Sequence, residues 1–165
     1  MRKMEVFFDY SCPYCLTGHE YLVELISKYQ DIEIIWCPCE AHPRPEEYSR
    51  YSDLCVQGLF YALEQNIDIW DFHMKMYNAA CKDGVDIEDP VALSNVFIDL
   101  FDPKGMIDAI KEGRFEQAVL DANDYAYEES DVWVVPAFRM DGKKLDAIGG
   151  VGITKADLNK FMNPV

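Results

Sequence analysis

Met4-Glu5-Val6-Phe7-Phe8-Asp9-Tyr10-Ser11-Cys12-Pro13-Tyr14-Cys15 is the stretch whose reading decides the fold. Met4 to Asp9 reads as a short buried strand, and Cys12 follows almost at once. From Pro13 to Tyr29 the spacing turns helical, with Cys15, His19, Leu22, Ile26 and Tyr29 on one stripe. Pro13 suits the first helical turn, where its missing N–H would have had no partner. Asp31 then precedes Ile32-Glu33-Ile34-Ile35-Trp36-Cys37, a β-branched run that predicts a second strand. Strand, helix and strand in so short a span make a parallel β-α-β unit.

Pro38, Pro43 and Pro45 then break the chain, and from Glu46 to Glu129 the signals are helical. Tyr48, Tyr51, Cys55, Leu59 and Ala62 make one stripe; Trp70, Met74, Tyr77 and Cys81 make another. Asp89-Pro90 and Asp102-Pro103 each read as an N-cap with proline at the first helical position. Gly113 separates off a last helix near Phe115 to Tyr127, giving a bundle of about four or five helices. Strand periodicity returns at Pro136–Met140 and Lys144–Ile148, which flank the hairpin signal Asp141-Gly142. Gly149-Gly150 closes the second of these. Thr154 with Asp157 opens a final helix to about Met162. The order predicts an α/β fold: a mixed four-stranded sheet, β-α-β then β-β-α, with an inserted helical bundle. One domain over 1–165 is expected, with the β-α-β unit at residues 1–43, a helical insertion at residues 44–130 and the β-β-α unit at residues 131–165.

Composition bounds the function. Half the residues are apolar, as in an ordinary globular chain. Lys and Arg number 15 against 30 Asp and Glu, a net charge of −15 that repels nucleic acid and anionic membrane surfaces. Met1-Arg2-Lys3-Met4-Glu5 runs straight into a strand without a secretion-signal pattern, so a cytoplasmic setting is expected. The six cysteines, 12, 15, 37, 39, 55 and 81, then suggest redox chemistry or buried packing more than a disulfide scaffold.

Cys12-x-x-Cys15 carries the chemistry. Unpaired N–H groups at a helix start favour a thiolate on the first cysteine, so Cys12 is the expected nucleophile. Cys15, one turn further in, is expected to be more buried and to resolve the mixed disulfide. The competing reading is half a zinc site, which would need a second cysteine pair of suitable spacing, and the strand-to-helix context argues against it. Cys37 and Cys39 share a strand face; with His42 and Cys55 their spacing fixes no tetrahedral metal site, and buried packing is the default for them and for Cys81. His19, four residues after Cys15 on the same face, is a candidate modulator of the thiols or a packed polar residue. Tyr48, Tyr51, Phe60, Trp70 and Tyr77 are mostly expected in the core, with a few lining a groove above the cysteines.

Asp9-Tyr10-Ser11-Cys12-Pro13-Tyr14-Cys15 resembles the start of the DsbA-like thioredoxin family. Trp36-Cys37-Pro38-Cys39-Glu40-Ala41-His42-Pro43 is similar to that family's second strand and proline-rich exit. Val134-Val135-Pro136-Ala137-Phe138 resembles its cis-proline segment, and the central helices resemble its insertion. The branch most resembled is the cytoplasmic FrnE-type and 2-hydroxychromene-2-carboxylate isomerase-like one, where an Asp three before the first cysteine is usual.

The resemblance implies a thioredoxin-like fold and disulfide exchange with a protein or small thiol, without a prosthetic group and with glutathione as a candidate co-substrate. It also implies that Val135 and Pro136 offer backbone to an extended substrate. Two departures stand out. Tyr14 occupies the place of a histidine that would stabilise the thiolate, which suggests a weaker oxidant. Val6 stands where many relatives bury an acid, with Glu5 facing the other way. Asp9 is therefore a candidate for helping Cys15 lose its proton, against a role capping the turn. Two rival activities are a glutathione-dependent isomerase or transferase of small aromatic molecules, which Cys12 disfavours because those enzymes carry serine there, and a non-enzymatic peptide-binding or chaperone-like module. A cytoplasmic setting suggests reduction or isomerisation, while the family resemblance leans toward oxidation.

Overall fold

The computed structural model describes residues 1–164. Strand β1 (Arg2–Phe8) leads through helix α1 (Pro13–Ile26) to β2 (Ile32–Pro38). Helices α2 (Asp53–Leu63), α3 (Ile69–Cys81), α4 (Pro90–Asn95), α5 (Pro103–Lys111) and α6 (Glu116–Asp124) follow, the last running into a π-helical turn at Tyr125–Glu129. The chain ends with β3 (Ala137–Met140), β4 (Lys143–Asp146) and α7 (Lys155–Met162). The sheet has four strands in the order β2-β1-β3-β4. β1 and β2 are parallel, with Val6 opposite Trp36; β1 and β3 are antiparallel, with Val6 opposite Phe138. This is the thioredoxin-like mixed sheet with inserted helices that the element order implied. The last residue of the 131–165 segment, Val165, lies outside the described residues.

Alternation along β1 builds two cores. Met4, Val6 and Phe8 point into the larger, with Leu22 and Leu25 of α1, Leu59 of α2, Phe72 and Met76 of α3, and Leu158 of α7. Phe7 points the other way and packs with Cys37, Cys39, Ala126, Val132 and Ala137. The helical insertion thus closes both faces of the sheet: α2 and α3 on one, the turn after α6 on the other.

Local punctuation sets the helix ends. Asp89 accepts a hydrogen bond from Val91 N, Asp102 from Lys104 N, and Thr154 Oγ1 from Asp157 N, which satisfies N–H groups of each first turn. Asp141 (φ 53°) and Gly142 (φ 74°) are both left-handed, the backbone a two-residue hairpin needs.

Four expectations shift. β1 starts at Arg2 and ends at Phe8, because Asp9 turns away to cap the next segment. Tyr48 and Tyr51 precede α2, whose first turn begins after Ser52, so their helical spacing is coincidental. The buried face of α3 is Phe72, His73, Met76, Tyr77 and Ala80, while Trp70, Met74 and Cys81 sit at its margins. β4 stops at Asp146 instead of Ile148: Ala147 N donates to Pro136 O, and beyond that β3 has no residue left to pair.

His19 and His73 lie in this interior with no hydrogen-bond partner at either Nε2. They pack within an aromatic box that includes Trp36, Trp70 and Tyr77. Burial pushes the imidazole of His19 down to about 4, and burial together with His19 holds His73 well below its ordinary value. The unfolded chain therefore binds more protons between an ordinary 6.5 and about 4, and stability falls as pH drops through that window. His19 alone contributes about 3 kcal/mol to the loss once the window is crossed. Urea unfolding near pH 7 and near pH 4.5 is expected to show a lower midpoint in acid, and His19→Phe is expected to narrow the gap.

Candidate active site

The site is assembled where β1 ends. Asp9 is buried, and its Oδ1 accepts from Ser11 N (2.9 Å) and Ser11 Oγ (2.8 Å) while Oδ2 accepts from Ala41 N (2.8 Å). Cys12 N donates to Asp9 O at 3.1 Å. The carboxylate thus closes the turn between β1 and α1 and fastens the chain leaving β2 to it. Cys12 emerges as the N-cap of α1, in extended backbone, with Pro13 at the first helical position.

That placement separates the two thiols. Cys12 is partly buried, and its thiol is lowered to about 7. The main cause is a hydrogen bond from the Cys15 thiol, which outweighs desolvation; the N–H groups of Cys15 and Tyr14 add to it, and Asp9 opposes it. Cys15 is 1% exposed and pushed well up, first by burial, then by the hydrogen bond to and the charge of Cys12. One sulfur is therefore anionic in part near neutrality while its neighbour keeps its proton.

The remaining cysteines are all held high, chiefly by burial: Cys37 to about 12, Cys81 to about 11, Cys39 and Cys55 further. No disulfide joins any of the six among the described residues. Nor do the described residues group three of His, Cys, Asp and Glu closely enough to hold a metal ion.

Two loops close on the pair. The Val135–Pro136 peptide bond is cis, as is Arg44–Pro45. Cys12 Sγ lies 4.0 Å from the Val135 carbonyl oxygen. A side chain at Gly18 would stand 3.1 Å from the Pro136 ring, so the bare backbone there admits the proline against α1. Tyr14 leans the other way: its hydroxyl donates to Gly150 O at 2.9 Å, and a side chain at Gly152 (φ 87°) would strike its ring. Cys12, Val135, Pro136, Asp9, Pro13 and Tyr14 are thus brought together. His19 sits on the inner side of α1, packed against aromatic rings.

A groove of about 580 Å³ opens beside Cys12, lined by Ala41, His42, Pro43, Tyr127, Trp133, Val134, Val135 and Gly149. Of the five aromatic residues at helical spacing, none lines it: Tyr77 is core and Trp70 packs against the core, as expected of most of them, while Phe60 borders a separate cleft on α6 and Tyr48 stacks on His42 at 3.7 Å. Tyr127 and Trp133 line it instead. Trp133 stands three residues before Pro136, and that proximity is the signal the sequence offers. A cavity of similar size, about 590 Å³, lies beside β4 and contains neither motif cysteine. No helix of the described residues is long and apolar enough to cross a membrane.

Residues 3–157 match the DSBA-like thioredoxin domain. The chain is 23% identical to the uncharacterized protein YwbO of Bacillus subtilis, over 82% of this chain and 84% of that one. Among solved structures it is similar to oxidised BdbD from Bacillus subtilis, with a TM-score of 0.76 at 15% identity, covering 98% of this chain and 85% of that one. Chlamydia trachomatis DsbA gives a TM-score of 0.75 at 15% identity, covering 98% and 84%.

The charge of Asp9 opposes ionisation of Cys12. In Asp9→Asn the thiolate absorbance of Cys12 is expected to titrate below the parent's midpoint of about 7. One amide oxygen cannot serve both Ser11 and Ala41, so stability is expected to fall by about 1 kcal/mol. An unchanged or raised midpoint would contradict the assigned role.

Proposed function

Because the chain belongs to the DSBA-like thioredoxin domain family, we propose that it is a thiol–disulfide oxidoreductase that exchanges disulfides with protein or small thiol substrates through a mixed disulfide on Cys12. The observation that carries this reading is the split between a partly buried Cys12 lowered to about 7 and a buried Cys15 held high. Asp9, three residues before Cys12, favours the FrnE-type branch, and the reaction is assigned to the cytoplasm with glutathione as a candidate co-substrate.

In the reductive direction the Cys12 thiolate attacks one sulfur of the substrate disulfide. That S–S bond breaks, a new one joins Cys12 to the substrate, and the displaced sulfur leaves as a thiolate that takes a proton. Once Cys12 is bonded it no longer carries charge or accepts the Cys15 proton, so two of the causes holding Cys15 high disappear. Cys15 then loses its proton more readily and attacks Cys12, releasing the second substrate sulfur. Two electrons pass to the substrate and the Cys12–Cys15 disulfide remains; oxidation of a dithiol is the same sequence reversed. Val135 and Pro136, packed beside Cys12, are assigned to hold the extended backbone on either side of the substrate sulfur.

Trapping tests the division of labour. Cys15→Ser is expected to accumulate a covalent adduct with a disulfide-bearing protein, visible on non-reducing electrophoresis and reversed by dithiothreitol. Cys12→Ser is expected to leave little adduct, because the remaining thiol is buried and protonated. Equal trapping by both variants, or by Cys12→Ser alone, would overturn the assignment.

A further inference from the structure

We propose that Trp133 is a specificity-determining platform for the polypeptide segment flanking the reacting cysteine of the substrate, and that it selects segments carrying lysine or arginine beside that cysteine. This rests on the disulfide-exchange reading above.

Trp133 is 70% exposed, an unusual cost for so large an apolar side chain. Yet it is not a loose surface residue. Its Nε1 donates to Asp131 Oδ1 at 2.8 Å, and Asp131 Oδ2 accepts from Lys144 Nζ at 3.2 Å. Asp131 holds left-handed backbone at φ 53°, and its carbonyl accepts from Arg139 at 3.2 Å. Arg139 is itself buried on β3, paired with Asp146, and bound to the Ser130 carbonyl. On the other side of the loop Val132 is fully buried and its N–H donates to Ala126 O at 2.9 Å. The indole stacks beside Tyr127, with centroids 6.0 Å apart and planes at 25°. The ring is therefore fixed in place while most of it stays in water, at the rim of the groove that holds Cys12.

Position and charge say what it meets. Trp133 and Val135 line the same groove beside Cys12, so a substrate segment lying along Val135 brings a residue flanking its cysteine to the indole. The groove lining contains no lysine or arginine, and its one histidine, His42, is paired with Glu46. The chain as a whole carries a net charge of −15. Acidic segments are repelled at long range and basic ones drawn in. At short range the indole face is the best aromatic partner for a cation. A basic side chain gains from both; an acidic one loses, and an aliphatic one gains only contact.

The test uses the full chain carrying Cys15→Ser, so that product stays on Cys12. Its substrates are symmetrical disulfide dimers of three short peptides that differ only in the residue beside cysteine, Arg, Leu or Glu, with hydroxyethyl disulfide as a neutral small-molecule control. Adduct formation is followed by mass spectrometry. The Arg dimer is expected to react about fivefold faster than the Leu dimer, and the Glu dimer slowest. Adding Trp133→Ala is expected to bring the Arg-to-Leu ratio below about twofold, Trp133→Phe to retain part of it, and neither to change the hydroxyethyl disulfide rate by more than about twofold. An Arg-to-Leu ratio that survives Trp133→Ala would overturn the platform. A faster Leu dimer would overturn the basic preference. If hydroxyethyl disulfide leaves no adduct on Cys12 in the Cys15→Ser parent, the disulfide-exchange reading itself falls; that outcome is distinct from a lost preference.

Discussion

A helix must begin with N–H groups that no carbonyl within it can reach, and the whole site depends on where α1 makes that beginning. Pro13 has no N–H to offer, and the N–H groups of Tyr14 and Cys15 that follow it help to hold the Cys12 thiol low. The position is set from upstream. Cys12 N is tied to Asp9 O, and the Asp9 side chain closes on Ser11, so the end of β1, the turn and the helix start form one rigid unit. Displaced by one residue, the sulfur would lose those donors and would no longer face Cys15.

Asp9 also bears on most of the six thiols, without being what singles one out. Its negative charge raises Cys12, Cys15, Cys39, Cys55 and Cys81 alike. Burial works in the same direction on all of them. Only at Cys12 do hydrogen bonds, first that from the Cys15 thiol, outweigh burial, so only Cys12 falls below the ordinary thiol range. Burial, reinforced by that carboxylate, thus holds the neighbouring thiols high, and the helix start makes the single exception.

Much of this is legible in the sequence because it is local. Asp89, Asp102 and Thr154 mark helix starts because a short polar side chain bonds the following turn, and Asp141-Gly142 marks the hairpin because few other pairs accept its backbone. Cys12 and Cys15 are legible for the same reason: three residues and a proline define their surroundings. What sequence alone does not reveal depends on partners distant in the chain. Asn123 donates to Glu40 and accepts from its N–H, fastening α6 to the loop after β2, and nothing near either residue announces it. His73 enters the core beside Tyr10, with which it shares a hydrogen bond at 2.8 Å although the two are 63 residues apart in sequence. The buried face of α3 differs from the expected one because apolar residues occur around most of that helix, so periodicity alone does not choose between Met74 and Met76. Trp133 stands close to Pro136 in sequence, but its exposure is not legible there because it depends on Arg139 and on Ala126 holding its loop from other elements.

The strand order β2-β1-β3-β4 leaves β4 on an outer edge of the sheet, with unpaired backbone groups that could template another chain. β4 is only four residues long, and three of them are Lys143, Lys144 and Asp146. Asp146 is paired with Arg139 and Lys144 with Asp131, so the charged side chains are held at that edge. A second strand adding there would have to displace those ion pairs and desolvate lysine heads for a ladder four residues long. The pairs that steady the loop before Pro136 therefore also guard the protein against edge-to-edge aggregation.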